Sequence, residues 1–332
     1  MSVITSVITK EFETFLVEDD HPTRLDRFIR RNVTYLSQGV IEKSLRNGQI
    51  KLNNKSAKAN NRVNKGDQII ISTKLLKEYL QQGESRKGNS SSSMFSPSII
   101  SLANKILGQY LIFSCEDFIA INKPNGLAVQ GGSKITISVD HALSYLNSIA
   151  AASENYRLVH RLDKDTSGVL IIAKNLHSAI LLGDAFKNKL LEKTYIALCK
   201  VGVISQTTSK TVPQVVPQIA EKGSIESYIA KSKSGVYDLV EASESGKFAK
   251  TLYEIVSKNG PFYTIKFNPL TGRMHQLRFH SKQLGCPILG DVKYGGERFE
   301  RMMLHALELK IPESIFGKQY CITAPIDWNY DY

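Results

Sequence analysis

Apolar and polar positions change period several times along the 332 residues. Leu25, Phe28 and Ile29, and then Val40, Ile41 and Leu45, follow the three- and four-residue spacing of a helix face. They predict one helix over 24–31 capped by Thr23, and a second from a Ser37 cap through Arg46, stopped by Asn47-Gly48. Residues 49–52 and 68–72 alternate as strands, with a turn at Asn53-Asn54. Residues 83–98, GESRKGNSSSSMFSPS, show no period, and seven of the 16 are serine, which reads as a flexible linker. Residues 99–107 suit a short helix docked on the second, larger domain. From Tyr110 onward, YLIFS, DFIAINK, GVLIIAK, KTYIALCK, AKTLYEIVS and PFYTIKFN read as strands. Helices fit 136–151, 176–191 and a stretch after Gly272. Strands dominate without a regular βαβ alternation, so the class is α+β with a mixed, largely antiparallel sheet. The expected organisation is an N-terminal extension at 1–21, a small domain at 22–75, a linker at 76–108 and a large domain at 109–332.

Composition narrows the possibilities. Hydrophobic residues at 42% and charged residues at 22% describe a globular chain rather than a disordered one. The net charge is +12, and residues 22–75 alone hold twelve basic and three acidic residues, +9 of that total. Such density in one small domain points to a polyanion-binding face, with Arg24, Arg27, Arg46 and Lys51 as its candidates. The four cysteines form no CxxC pair, which argues against a thiolate zinc site and for a reducing compartment. The N-terminus is too polar for a secretory signal, and no apolar run reaches bilayer-spanning length, so a cytoplasmic location is expected.

Three motifs could carry chemistry. The first is His160-Arg161-Leu162-Asp163-Lys164-Asp165-Thr166-Ser167-Gly168, a polar turn between two strands. Period two in the incoming strand points Arg161 and Asp163 the same way, so a carboxylate and a cation share the mouth of a sheet. A salt-bridged turn is the bland alternative, and an Asp163-x-Asp165 phosphatase site needing Mg²⁺ is another. The second motif, Lys193-Thr194-Tyr195, places Lys193 and Tyr195 on one strand face. The third is Thr271-Gly272-Arg273-Met274-His275-Gln276-Leu277-Arg278-Phe279-His280; a helix there would set His275 and Arg278 three apart on one side. Neither common phosphate loop occurs.

HRLDKDTSGVLIIAK, KTYIAL and TGRMHQLRFH together resemble the three motifs of the RluA-type pseudouridine synthases. EDFIAINKPNGLAVQGG, GKFAKTLYEIVS, CPILGDVKYGG and MLHALEL resemble further family stretches. RLDRFIRR and LRNGQIKLNNKSAKANNRVNKGDQI resemble the S4 RNA-binding fold. An S4-like domain before this catalytic domain is similar to the branch that acts on large-subunit ribosomal RNA, and NKPNGLAVQGG is most like the RluC subgroup. Met274 departs from the family's usual Thr, and 201–222 resembles an insertion.

The resemblance implies uridine isomerisation in 23S rRNA by a monomer using neither metal nor cofactor. It implies that Asp163 is the essential carboxylate, attacking C1′ or removing a ribose proton. Arg278 would be its paired cation, and Tyr195 would stack on the uracil and assist loss of the C5 proton. Arg161 would fill the gap left by the swung-out nucleotide. His160, Lys193, Arg273 and His275 would be supports or phosphate contacts, and Asp165 a turn residue. A non-catalytic S4-type RNA binder is the alternative that the charge alone would also explain.

The clustered charge has a measurable consequence. Deleting 22–75 is expected to weaken binding to an rRNA transcript and to flatten the salt dependence of the affinity, measured by filter binding across a salt series. An unchanged slope would mean that the basic residues are only a solvated surface.

Overall fold

The computed structural model describes residues 6–8, 11–18, 22–33, 36, 38–78, 95–132, 135–150, 154–202, 219–232 and 239–328. They fall into two compact units, 1–94 and 95–332.

The first unit is a four-stranded antiparallel sheet in the order Ser6–Ile8, Phe12–Leu16, Gln68–Ser72, Ile50–Leu52, with helices Leu25–Asn32 and Gln38–Arg46. Its core joins Phe15, Leu25, Phe28, Ile29, Ile41, Leu45, Ile50, Ile69 and Ile71. The expected boundary at 22 cuts through this sheet, since Phe12–Leu16 pairs with Gln68–Ser72 along its whole length. Thr23 is not the helix cap. It pairs with Val63, and the first helical amides are satisfied by backbone, Leu25 N donating to Asn61 O and Asp26 N to Ala59 O. Asn53 and Asn54 both have positive φ and Gly48 has φ 70°, so the turn and the stop occur where the residue types allow them. Ser37 and most of 83–98 lie outside the described residues.

The second unit is built on a long mixed sheet. Its strand order is Val240–Ala242, Lys222–Lys231, Lys247–Asn259, Phe262–Pro269, Glu192–Lys200, Leu304–Ile311, Ser167–Ala173, Phe118–Lys123, Leu111–Ser114. Every neighbouring pair is antiparallel except Ser167–Ala173 with Leu304–Ile311. Alternation sorts the residues onto two covered faces. Ile119, Ile121, Leu170 and Ile172 pack with helices Pro97–Leu107 and Val139–Ile149. Phe118, Ala120, Val169 and Ile171 pack with helix Leu176–Lys187. Both faces being covered is why Ser167–Ala173 is buried at every residue.

The helix expected over 99–107 is present as Pro97–Leu107 and belongs to this unit, so the unit begins inside the 76–108 range given to the linker; the helix is capped by the Ser96 side chain with Pro97 in its first turn. Strand Lys222–Lys231 begins at the last residue of the 201–222 stretch, of which 203–218 lie outside the described residues.

The parallel junction dictates one residue type. Gly168 pairs with Ala306 at φ 108°, and a Cβ there would lie 2.2 Å from the Ala306 carbonyl oxygen. Gly168→Ala is therefore expected to cost on the order of 3 kcal/mol of unfolding free energy, read as a lower urea midpoint. An unshifted midpoint would show that the two strands can separate without loss.

Candidate active site at the parallel junction

Ala306 is opposite Gly168 on one side and Tyr195 on the other, so one row across three strands brings the first motif beside the second. The register shifts between Thr194 and Tyr195. Asn268 holds this irregularity, its amide donating to Lys193 O at 3.2 Å and to Thr194 Oγ1 at 2.9 Å.

The third motif arrives on helix Gln276–Gln283. His275 is not inside that helix, as the sequence suggested, but precedes it in a left-handed conformation at φ 51°. Gln276 organises the approach: its Oε1 accepts from Thr271 Oγ1 and Arg273 N, and its Nε2 donates to Lys250 O and Thr251 Oγ1. Met274 packs with Ile229, Val240, Ala249 and Tyr294. The three motifs enclose a cleft of about 280 Å³ lined by Arg161, Asp163, Lys193, Tyr195, Arg273, His275 and Arg278, among others. That is the small end of ligand sites, with room for one nucleoside rather than a stacked pair.

Arg278 is buried, with two carboxylates around it. Nε and Nη2 donate to Asp291 at 2.7 and 2.6 Å, while Nη1 lies 3.8 Å from Asp163 Oδ2. The expected Asp163–Arg278 pairing is therefore corrected in one respect: the full bidentate partner is Asp291, itself buried, and Asp163 receives the remaining edge of the guanidinium. Sequence reasoning missed Asp291 and Tyr294, although both lie in CPILGDVKYGG, a stretch noted only as a whole.

Tyr294 lies beneath the guanidinium, 5.0 Å from ring centroid to guanidinium carbon. Its hydroxyl accepts from Val240 N at 2.9 Å and is 3.0 Å from His275 Nδ1. Burial pushes the Tyr294 phenol up, so the hydroxyl keeps its proton. Burial pulls His275 down against the opposing pull of Asp163. His275 Nε2 lies 3.7 Å from Asp163 Oδ2.

Tyr195 is pushed up by burial and further by Asp163, so its phenol is protonated at neutral pH. Lys193, pulled down by burial and by Lys189, lines the cleft beside it. Arg161 is exposed at the cleft, and Arg273 donates from Nε to Phe248 O at 3.0 Å.

His160 is placed elsewhere. Its Nε2 accepts from Ile171 N at 2.8 Å and its ring stacks on Phe186, so it fastens the first motif to the sheet. In the first unit, Arg24 is tied to buried Asp26 at 2.6 Å and Lys51 lies 5.8 Å from the Phe12 ring, while Arg27 and Arg46 are exposed.

Two histidines, buried His280 and half-buried His160, give a pH prediction. Burial pulls His160 to about 3 and His280 to about 4, below the usual 6.5. The unfolded chain therefore binds protons first as pH falls, and stability held above pH 6.5 is lost on the way toward 4. Urea midpoints are expected to fall from pH 7 to pH 5, less steeply in His280→Gln. A flat profile would contradict the neutral assignments.

Known proteins share this outline. Residues 117–283 match the family model described as RNA pseudouridylate synthase. The chain is 43% identical to a protein of Rickettsia bellii named ribosomal large subunit pseudouridine synthase C, over 92% of this chain and 94% of the relative. It is 28% identical to the Escherichia coli K12 protein of the same name, over 94% and 92%. Among solved structures, human RNA pseudouridylate synthase domain containing 4 is similar with TM-score 0.54 and 23% identity, over 69% of this chain and 92% of that one. Human RNA pseudouridylate synthase domain containing 1 gives TM-score 0.51 and 26% identity, over 65% and 82%.

Proposed function

The chain belongs to the RNA pseudouridylate synthase family, and we propose that it isomerises uridines of large-subunit ribosomal RNA with Asp163 as the reacting carboxylate. The observation that carries this is the meeting of Asp163, Tyr195 and Arg278 in one nucleoside-sized cleft, from three motifs distant in sequence. A protein that only bound RNA would have no need to hold a buried cation against a carboxylate at the bottom of a cleft.

The reaction breaks the N1–C1′ bond, turns the uracil and joins C5 to C1′. Atoms and electrons balance within the nucleotide, so the reading includes no metal or cofactor. The target uridine swings out of the stack into the cleft, and Arg161, exposed at its mouth, occupies the space it leaves. Asp163 then acts on the sugar, by attack at C1′ or by removing a ribose proton. Arg278 Nη1, which carries positive charge, and His275 Nε2 both face its Oδ2.

The protonated Tyr195 phenol is a stacking surface for uracil. Once the new C–C bond is made, C5 releases its proton to solvent and N1 takes one up, which restores the conjugated ring. Lys193 and Arg273 contact phosphates flanking the uridine. The first unit, S4-like in its basic sequence, adds sequence-independent phosphate contacts through Arg27 and Arg46. A monomer acting in the cytoplasm completes the reading.

Tritium release from C5-labelled uridine in a 23S rRNA transcript, with EDTA present, tests it. Wild-type chain is expected to release tritium undiminished by EDTA. Asp163→Asn is expected to bind RNA and release none, and Tyr195→Phe to retain binding with a slower rate. Turnover by Asp163→Asn would refute the assignment, and loss of wild-type turnover in EDTA would favour the metal-dependent alternative.

A further inference from the structure

Two aromatic rings stand open to solvent on the sheet of the second unit. Tyr228 and Phe248 are directly opposite each other in the pairing of Lys222–Lys231 with Lys247–Asn259. They are 55% and 39% exposed, and their centroids are 5.6 Å apart. Their chain neighbours Ile229 and Ala249 are buried in the cluster that Met274 joins, so alternation turns the rings to the opposite face. Leu270, 44% exposed, adjoins them, its amide donating to Lys250 O. One exposed apolar side chain is ordinary; a contiguous group with cations at its border marks a binding surface.

One residue joins this patch to the cleft. Arg273 lines the cleft, and its Nε donates to Phe248 O at 3.0 Å, near the start of the strand Lys247–Asn259. Lys247 is exposed beside Phe248, and neither Lys247 nor Arg273 has a carboxylate partner among the described residues. In the adjoining row Lys250 is paired with Glu226 at 2.6 Å, so that carboxylate is matched. The surface therefore offers flat apolar faces with unmatched positive charge next to them. Nucleobases and phosphates complement both features at once. A second copy of the chain seated here would bring the same cations to the same interface.

We propose that Tyr228 and Phe248 form a stacking platform for unpaired nucleotides of the substrate RNA next to the target uridine, with Lys247 and the Nη end of Arg273 on their phosphates. This rests on the reading that the cleft takes a uridine of that RNA. Neither ring lines the cleft, so their loss appears in RNA affinity and not in the rate once RNA is bound.

The test compares the full chain with a double variant, Tyr228→Thr with Phe248→Thr; threonine keeps the strand propensity and removes both rings. Affinity for a 23S rRNA transcript is measured by filter binding across a salt series, with the unfolding midpoint and the single-turnover rate at saturating RNA alongside. The expected result is an affinity at least about fivefold weaker, a salt slope unchanged because no charge is removed, and a rate within about twofold of wild type. A folded double variant with wild-type affinity would overturn the proposal. A dimer of the wild-type chain in sedimentation that the double variant loses would assign the patch to a second copy and overturn it as well.

A second measurement needs no substitution. A transcript carrying 5-iodouridine is bound to the wild-type chain and irradiated, and the cross-linked peptides are identified by mass spectrometry. Cross-links at Tyr228 or Phe248 are expected, and cross-links confined to other residues would overturn the platform. Both measurements read binding whether or not uridine is isomerised. Stacking on these rings by a chain that forms no pseudouridine therefore overturns the functional reading and keeps the platform. An active wild type whose double variant binds RNA normally overturns the platform alone.

Discussion

One guanidinium between two carboxylates organises the catalytic unit. Arg278 is buried, and a buried cation with only a half-exposed partner would be costly. Asp291, equally buried, takes the Nε and Nη2 edge in a bidentate pair and settles most of that cost. What remains is Nη1, directed toward Asp163 at a distance longer than a hydrogen bond. The cation is therefore anchored by one carboxylate and available to another. That division suits a reaction in which the second carboxylate must change its bonding while the first must not. Tyr294 serves the same arrangement twice, supporting the guanidinium with its ring and holding His275 Nδ1 with its hydroxyl.

The sheet supplies the distances. A single parallel pairing in an otherwise antiparallel order lets the strand after the first motif run beside Leu304–Ile311. Ala306 then bridges Gly168 and Tyr195, and only a residue without a Cβ allows the approach. Strand Phe262–Pro269 pairs with Glu192–Lys200 and delivers the chain to Thr271 and Gln276, whose hydrogen bonds turn it into the helix that carries Arg278. Residues far apart in sequence become neighbours because four strands stand in adjacent places.

Much of this was legible in the sequence where a local signal existed. Period two marked most of the strands of the large unit, but the strand entering the first motif ends at Leu158; Arg161 and Asp163 both line the cleft from the irregular segment that follows, with buried Leu162 between them. The Asp163, Tyr195 and Arg278 cleft was legible through family resemblance rather than through pattern, since no spacing joins residues 163, 195 and 278. Features set by long-range contact were not legible. Nothing local in GDVKYGG says that Asp291 faces Arg278. Thr23 looked like a cap because its residue type suits one, but strand pairing with Val63 claimed its backbone. His160 looked like a site residue because it adjoins Arg161, yet it turns inward to the Ile171 amide. The first sheet begins before residue 22 because Phe12–Leu16 pairs with Gln68–Ser72, a strand that was not legible because it is short and half-buried with no strong alternation of its own.

The central claim is that a forked cation serves both carboxylates at once. Arg278→Lys keeps the charge but offers a point ammonium in place of the planar fork, so it cannot hold Asp291 bidentately and still face Asp163. The measurement is the single-turnover rate of pseudouridine formation by this variant on a 23S rRNA transcript, with RNA affinity and unfolding midpoint measured alongside. The account predicts a rate at least about tenfold lower with RNA affinity retained. A folded Arg278→Lys enzyme that forms pseudouridine at the wild-type rate would contradict it.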